Sequence, residues 1–128
     1  MYPESKRYIK PNEIKRIIKQ LPPFIIKVGV FVNENPEYVN KVVRETGLNL
    51  VQLHGDESPD YLSEINSPVI KAFRINDNFE FNYLHRYNDC YYLLDAYDSN
   101  SYGGTGKKFK WNKIPENLKH KIILAGGI

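Results

Sequence analysis

Several stretches of the sequence hold groups able to do acid-base or anion chemistry. Leu93-Leu94-Asp95-Ala96 reads as an apolar strand that ends on a carboxylate and then opens into the glycine-rich Tyr102-Gly103-Gly104-Thr105-Gly106-Lys107-Lys108-Phe109. A carboxyl group at the carboxyl end of a buried strand costs desolvation energy, so Asp95 is either a functional acid or the cap of the following turn. Val51-Gln52-Leu53-His54-Gly55 ends in the same way on an imidazole, which either faces a pocket or bonds a neighbouring loop. Arg7, in a segment containing Pro3, offers forked donors to a carboxylate or phosphate. Gly126-Gly127 ends an apolar run and can present backbone N–H groups to a phosphate, because no side chain blocks approach. Gly103, Gly104, Gly106 and Lys107 have the wrong spacing for a nucleotide phosphate loop, and Lys108 stands where Ser or Thr would hold magnesium. They read instead as a flap whose closure excludes water, or as a tight turn.

The elements that position these groups alternate. Ile14, Ile17, Ile18 and Leu21 line one face of a helix that Pro22-Pro23 must stop. Val28 to Val32 is apolar on both alternations, as expected for a strand covered on both faces. Asn35-Pro36-Glu37 caps a helix that buries Val39, Val42 and Val43 and closes at Gly47. Leu48 to Leu53 is the next strand, Ser58-Pro59-Asp60 opens a short helix, and Val69 to Phe73 is a strand again. Asn76 to Asn88 has only a weak helical stripe in Phe79, Tyr83 and Leu84. Tyr91 to Leu94 and Ile122 to Ala125 are strands, and Trp111 to His120 is a helix broken around Pro115.

Strands and helices alternating at intervals of roughly 20 to 30 residues build an α/β parallel sheet from βα units. A doubly wound sheet and a barrel are both open to such units. The first is disfavoured because Gly-x-Gly-x-x-Gly is absent from its expected place. The second gathers chemistry at the carboxyl ends of its strands, where His54, Asp95 and Gly126-Gly127 fall. Alternation puts Gln52 with His54 on one face of their strand, and Leu93 with Asp95 on one face of theirs. His85 and His120 read as surface residues, and Lys15, Arg16 and Lys19 as a solvated helix face.

The 128 residues carry a formal net charge of +3, with basic residues dispersed among acidic ones, so no nucleic-acid partner is expected. One cysteine, Cys90, excludes an internal disulfide within this sequence and offers no metal cluster. No apolar run approaches the ~20 residues that cross a bilayer, and no signal-peptide pattern is present; no membrane partner and a cytoplasmic location are expected.

Six motifs together, Tyr2-Pro3-x-Ser5-x-Arg7-Tyr8-Ile9, Val28-Gly29-Val30-Phe31-Val32-Asn33, Val51-Gln52-Leu53-His54-Gly55, Leu93-Leu94-Asp95, Gly103-Gly104-Thr105-Gly106-Lys107 with Phe109-x-Trp111, and Leu124-Ala125-Gly126-Gly127, resemble phosphoribosylanthranilate isomerase in order and over the whole length. That resemblance implies an incomplete (βα)8 TIM barrel: one partial domain over residues 1–128 that comprises strands three to seven. It implies the Amadori rearrangement of N-(5-phosphoribosyl)anthranilate in tryptophan biosynthesis, with no metal or organic cofactor and a small phosphorylated substrate. Asp95 matches the general acid, whose burial would favour its protonated form, and Arg7 and His54 match residues lining the substrate pocket. Gly126 and Gly127 match the phosphate turn, and Gly103, Gly104, Gly106 and Lys107 the flap. The family's general base is a cysteine in a Lys-x-Cys-Gly motif on the first strand, which this sequence does not contain. Cys90 precedes the Asp95 strand and is expected at the opposite end of the sheet. The chain alone is therefore expected to be inactive. The alternative is a non-catalytic half-barrel that self-associates through open edges or complements another chain.

Overall fold

A computed structural model describes residues 1–96 and 111–126 of the chain. Its strands, β1 (Val28–Phe31), β2 (Leu50–Leu53), β3 (Val69–Ile75), β4 (Tyr91–Ala96) and β5 (Ile122–Ala125), form one parallel sheet in sequence order. Sequence order decides between the two closures: a doubly wound sheet reverses its strand order at a switch point, whereas a barrel adds each strand beside the last. The fold is the α/β incomplete barrel expected. The chain divides into two compact units, Met1–Ile70 and Lys71–Ile128.

In the first unit, α1 (Pro11–Ile18), α2 (Pro36–Thr46) and α3 (Pro59–Ser63) each begin with proline, whose missing N–H costs nothing in a first turn. The Lys10 N–H donates to the Glu13 carboxylate at 3.4 Å, the reach-back half of a capping box. Asn35 caps α2 by accepting from the Glu37 N–H at 2.8 Å, and Gly47 closes it at φ 84, donating to the Val43 carbonyl at 3.1 Å. Ser58 caps α3 by accepting from the Tyr61 N–H at 3.3 Å. Phe31, Val39, Val42, Val51 and Leu53 make the core, each at most 1% exposed; burying such a side chain stabilises the fold by about 1.5–3 kcal/mol.

Two sequence expectations are corrected here. The helix does not run on to Pro22-Pro23: the Gln20 and Leu21 N–H groups donate to Ile17 and Ile18, an i to i+3 tightening that takes Leu21 off the stripe. Of that stripe Ile14 is buried while Ile17 is exposed. Strand β1, in turn, is covered on one face only. Phe31 is buried, but Val28 and Val30 are 41% and 44% exposed, because they line an open cavity rather than a packed layer.

Among its described residues the second unit carries 3₁₀ turns at Phe81–Arg86, Trp111–Lys113 and Glu116–Lys121. The weak stripe at 76–88 resolves as the first of these. Asn76 diverts its side chain to the Asn78 N–H at 2.9 Å, an Asx turn that competes with a regular helix. Pro115 separates the other two, as its missing N–H requires. The Phe73 ring is the hub of an aromatic cluster, edge-on to Tyr83 and Tyr87 at 6.0 and 5.1 Å and tilted against Phe79 and Tyr92 at 6.3 and 6.1 Å. The Tyr92 hydroxyl donates to the Tyr87 carbonyl at 2.6 Å, so the cluster buries its polar atom with a partner. His85 and His120 are exposed, as are Lys15, Arg16 and Lys19.

Candidate substrate site

The parallel register of β1 and β2 pairs Val30 with Gln52 and Phe31 with Leu53. Alternation then separates the faces. Phe31, Val51 and Leu53 enter the core, while Val30, Gln52 and His54 share the opposite face. The His54 N–H donates to the Phe31 carbonyl at 2.9 Å, extending the ladder beyond the strand and fixing the backbone of the histidine. Gln52 Nε2 lies 3.0 Å from His54 Nδ1. With the amide nitrogen donating, Nδ1 accepts and the ring carries its proton on Nε2.

Residues 1–9 fold onto this face through successive turns. The Ser5 and Tyr8 N–H groups donate to the Tyr2 and Ser5 carbonyls at 3.0 Å each, and the Arg7 N–H donates to Ser5 Oγ at 3.1 Å. The Met1 amino group donates to the Val30 carbonyl. The result is a cavity of about 540 Å³ whose wall includes Arg7, His54, Gln52, Ser5, Tyr8 and Val30. Its size and mainly apolar wall, with a few convergent polar groups, suit a small organic ligand. Arg7 and His54, 47 residues apart, thus line one space. A guanidinium there can hold a carboxylate or phosphate in a bidentate manner, and a neutral imidazole can donate one hydrogen bond.

In the second unit Asp95 stands at the carboxyl end of β4, half-buried, in register with Ala125 of β5. Gly126 follows with φ 66, and a Cβ there would fall 2.5 Å from both Asp95 Oδ1 and the Ala96 carbonyl oxygen. Glycine is required at 126 because any side chain would displace the carboxylate and suffer left-handed strain. Cys90 immediately precedes β4, five residues from Asp95 or ~17 Å along an extended strand. Its thiol is buried, and desolvation pushes its pKa up to about 11 against the opposing pull of Lys121 and Lys71. It is a packing residue held in the neutral form. Gly103, Gly104, Gly106, Lys107 and Gly127 lie outside the described residues.

Two residues bridge the loops after β1 and β2: Asn33, which the sequence marks only as the end of a family motif, and Glu57, which carries no sequence signal of its own. A charged residue in Gly55-Asp56-Glu57-Ser58 reads as solvated surface, yet Glu57 is only 4% exposed. A signal was present in Gly55, but it pointed to close backbone approach without saying to what.

The model of the family described as N-(5'phosphoribosyl)anthranilate (PRA) isomerase matches residues 1–128, and the chain belongs to that family. A relative from Trichlorobacter lovleyi, named N-(5'-phosphoribosyl)anthranilate isomerase, is 50% identical over 129 residues that cover 99% of this chain and 63% of the relative. The crystal structure of phosphoribosyl anthranilate isomerase from Thermotoga maritima superposes with a TM-score of 0.84 at 40% identity, covering 99% of this chain and 63% of that one. A further structure of such an isomerase, in complex with reduced 1-(o-carboxyphenylamino)-1-deoxyribulose 5-phosphate, has a TM-score of 0.75 at 36% identity and covers 99% of this chain and 61% of that one. The chain therefore spans a little over three fifths of the length of the relatives it matches. Among the described residues, no helix is long and apolar enough to cross a membrane.

Proposed function

We propose that residues 1–128 form one partial barrel domain that carries substrate-binding and acid functions of a phosphoribosylanthranilate isomerase of tryptophan biosynthesis, acting in the cytoplasm. The observation that carries this reading is the cavity that Arg7 and His54 line together. Membership of the family over the full chain supports it.

In the reaction, the Asp95 carboxyl protonates the furanose oxygen, the C1–O bond breaks and the ring opens to a Schiff base. Removal of the C2 proton gives an enolamine, which tautomerises to the ketone, so atoms and electrons balance without an external oxidant or reductant. Arg7 binds the anionic end that enters the cavity, and His54 donates to a substrate oxygen. Gly126 and Gly127 match the family's phosphate turn, and Gly103, Gly104, Gly106 and Lys107 its flap; Gly127 and the flap residues lie outside the described residues.

No residue among the 128 is assigned to C2 proton removal, since Cys90 sits at the opposite end of β4 from Asp95 and is held neutral. The chain by itself therefore binds and does not turn over. Loss of general-base catalysis alone costs about 10²–10⁴ in rate. The test has two arms. Calorimetric titration with the reduced carboxyphenylamino-deoxyribulose phosphate is expected to show binding, and loss of phosphoribosylanthranilate fluorescence is expected to be undetectable. Absence of binding would overturn the site assignment, and measurable turnover the missing base.

A second reading, self-association, is favoured by the exposed apolar side chains Val28 and Val30 on β1 and Ile123 and Leu124 on β5, the two terminal strands of the sheet order. Sedimentation of the chain would show a concentration-dependent mass under that reading and a constant monomer mass without it.

A further inference from the structure

Both oxygens of the buried Glu57 carboxylate are taken by backbone N–H groups. Oε2 accepts from Asn33 at 2.8 Å and Oε1 from Gly55 at 2.9 Å. The two donors belong to different strand ends. Asn33 follows Val32 and Gly55 follows His54, and Val32 and His54 both line the cavity. A second bond spans the same gap in the opposite sense, with Asn33 Oδ1 accepting from the Asp56 N–H at 2.7 Å. Asn33 does this in a left-handed conformation, φ 49, which asparagine tolerates better than most residues. A Cβ at position 55 would lie 2.9 Å from the Asn33 nitrogen, so the two loops meet with no room for a side chain between them. Removing a carboxylate from water is costly unless charge-assisted hydrogen bonds replace the solvent. A solvated side chain would serve to cap either loop alone. A single buried carboxylate shared by both fixes one strand end with respect to the other.

We propose that Glu57 is a positioning residue of the substrate site: its carboxylate locks the carboxyl ends of β1 and β2 together and thereby sets where the His54 imidazole, held at Nδ1 by Gln52, presents its second nitrogen. The inference rests on reading the cavity as the substrate site. Charge in the pocket is not what Glu57 supplies, since its oxygens are occupied by Asn33 and Gly55. What it supplies is direction, and a displacement of about 1 Å at a binding group is enough to lose a large part of its effect.

The test combines long-range ¹⁵N–¹H spectra of the His54 ring with titration of reduced 1-(o-carboxyphenylamino)-1-deoxyribulose 5-phosphate, on the unaltered chain and on Glu57→Gln and Glu57→Asp. In Glu57→Gln the amide must turn N–H groups toward one of the two backbone donors, so one arm of the lock is lost. The expected result is a changed Nδ1 and Nε2 shift pattern at His54 and analogue binding weakened about tenfold, with Glu57→Asp, which keeps two acceptor oxygens, recovering most of both. A Glu57→Gln chain that melts earlier but keeps the His54 ring signals and the affinity overturns the proposal, because a merely structural carboxylate moves stability alone. Should Glu57→Gln fail to fold, amide exchange in the unaltered chain decides: slow exchange at both Asn33 and Gly55 upholds the lock, and fast exchange at both overturns it. Ring signals that shift in Glu57→Gln when neither chain binds the analogue would uphold the lock and count against the substrate reading instead.

Discussion

The two compact units solve the same problem, covering one face of a strand layer, with different materials. In Met1–Ile70 the cover is α-helical and its signals are local: a proline opens each helix, Asn35 and Ser58 cap, and Gly47 terminates. Among the described residues of Lys71–Ile128 the cover is 3₁₀ turns and edge-on and tilted rings around Phe73, and neither Glu80 nor Pro115 makes a side-chain cap bond. The chemistry divides too. The first unit holds cationic and imidazole groups in a cavity, whereas the second holds a carboxylate on a strand end with a glycine opened against it. Of the proposed binding groups, Arg7 comes from a loop that local turns shape and His54 from a strand end, and the proposed acid Asp95 comes from a strand whose register a neighbouring strand fixes.

The contrast breaks most sharply at Phe73. Phe73→Ala is expected to cost ~3–5 kcal/mol in urea denaturation, since it removes the ring that four others contact and leaves a void that 3₁₀ turns cannot refill. A loss below ~1 kcal/mol would show that the aromatic cluster clads the second unit rather than holding it together.

Next in size is the thiol of that unit. With its pKa raised to about 11, Cys90 is a neutral thiol at pH 8, and iodoacetamide is expected to alkylate it about a hundredfold more slowly than the cysteine of the urea-unfolded chain. The linkage follows in sign. The folded state holds the proton more tightly, so this contribution to stability is complete below the unfolded value near 9 and is lost as pH rises toward 11. Equal alkylation rates in the two states would place Cys90 in solvent and remove the reason for excluding it from the chemistry.

The division of labour is sharpened by one pair of substitutions read by the same titration. Arg7→Ala is expected to weaken the phosphorylated product analogue about 10- to 100-fold, the worth of a hydrogen bond to a charged group. Asp95→Asn is expected to change it by about threefold or less, because an acid that acts on a developing leaving group contributes in the transition state and not in the ground state. Equal losses would mean that Asp95 binds as much as it catalyses.

How much of this was legible in the sequence follows the same line between local and remote causes. Asn35, Pro36 and Gly47 announce α2 because a cap acts on residues within two or three positions of itself. The βα alternation gave the parallel sheet, and His54 and Asp95 stand at strand ends as their positions implied. Hydropathy misled at β1, since an apolar strand lining a cavity and one buried on both faces have the same composition; Val30 differs from Phe31 only in what faces it. Helix type at 81–86 was not legible: the Asx turn at Asn76 competes with a regular helix, and Tyr83 of the 3₁₀ turn packs edge-on against Phe73, which lies on a separate strand. Least legible was Glu57, whose burial depends on two N–H groups supplied by separate strand ends. Arg7 and His54 were joined by resemblance, and the turns of residues 1–9 supply the physical link.

The smallest expected effect tests whether capping truly separates the units. Asn35 Oδ1 satisfies the Glu37 N–H at 2.8 Å, one of the donors that a first turn leaves unpaired, so Asn35→Ala should cost ~1 kcal/mol through the lost acceptor. Glu80 occupies the corresponding place before the 3₁₀ turn Phe81–Arg86 without a side-chain cap bond, so Glu80→Ala should lie within ~0.5 kcal/mol of the unaltered chain. Both positions are solvent-facing, which removes core packing from the comparison and leaves the cap as the variable. Paired urea titrations with a shared slope would measure the difference directly. If the two losses were equal, the second unit would have a cap that its geometry does not display, and the distinction between locally signalled helices and ring-supported turns would fail where it is easiest to isolate.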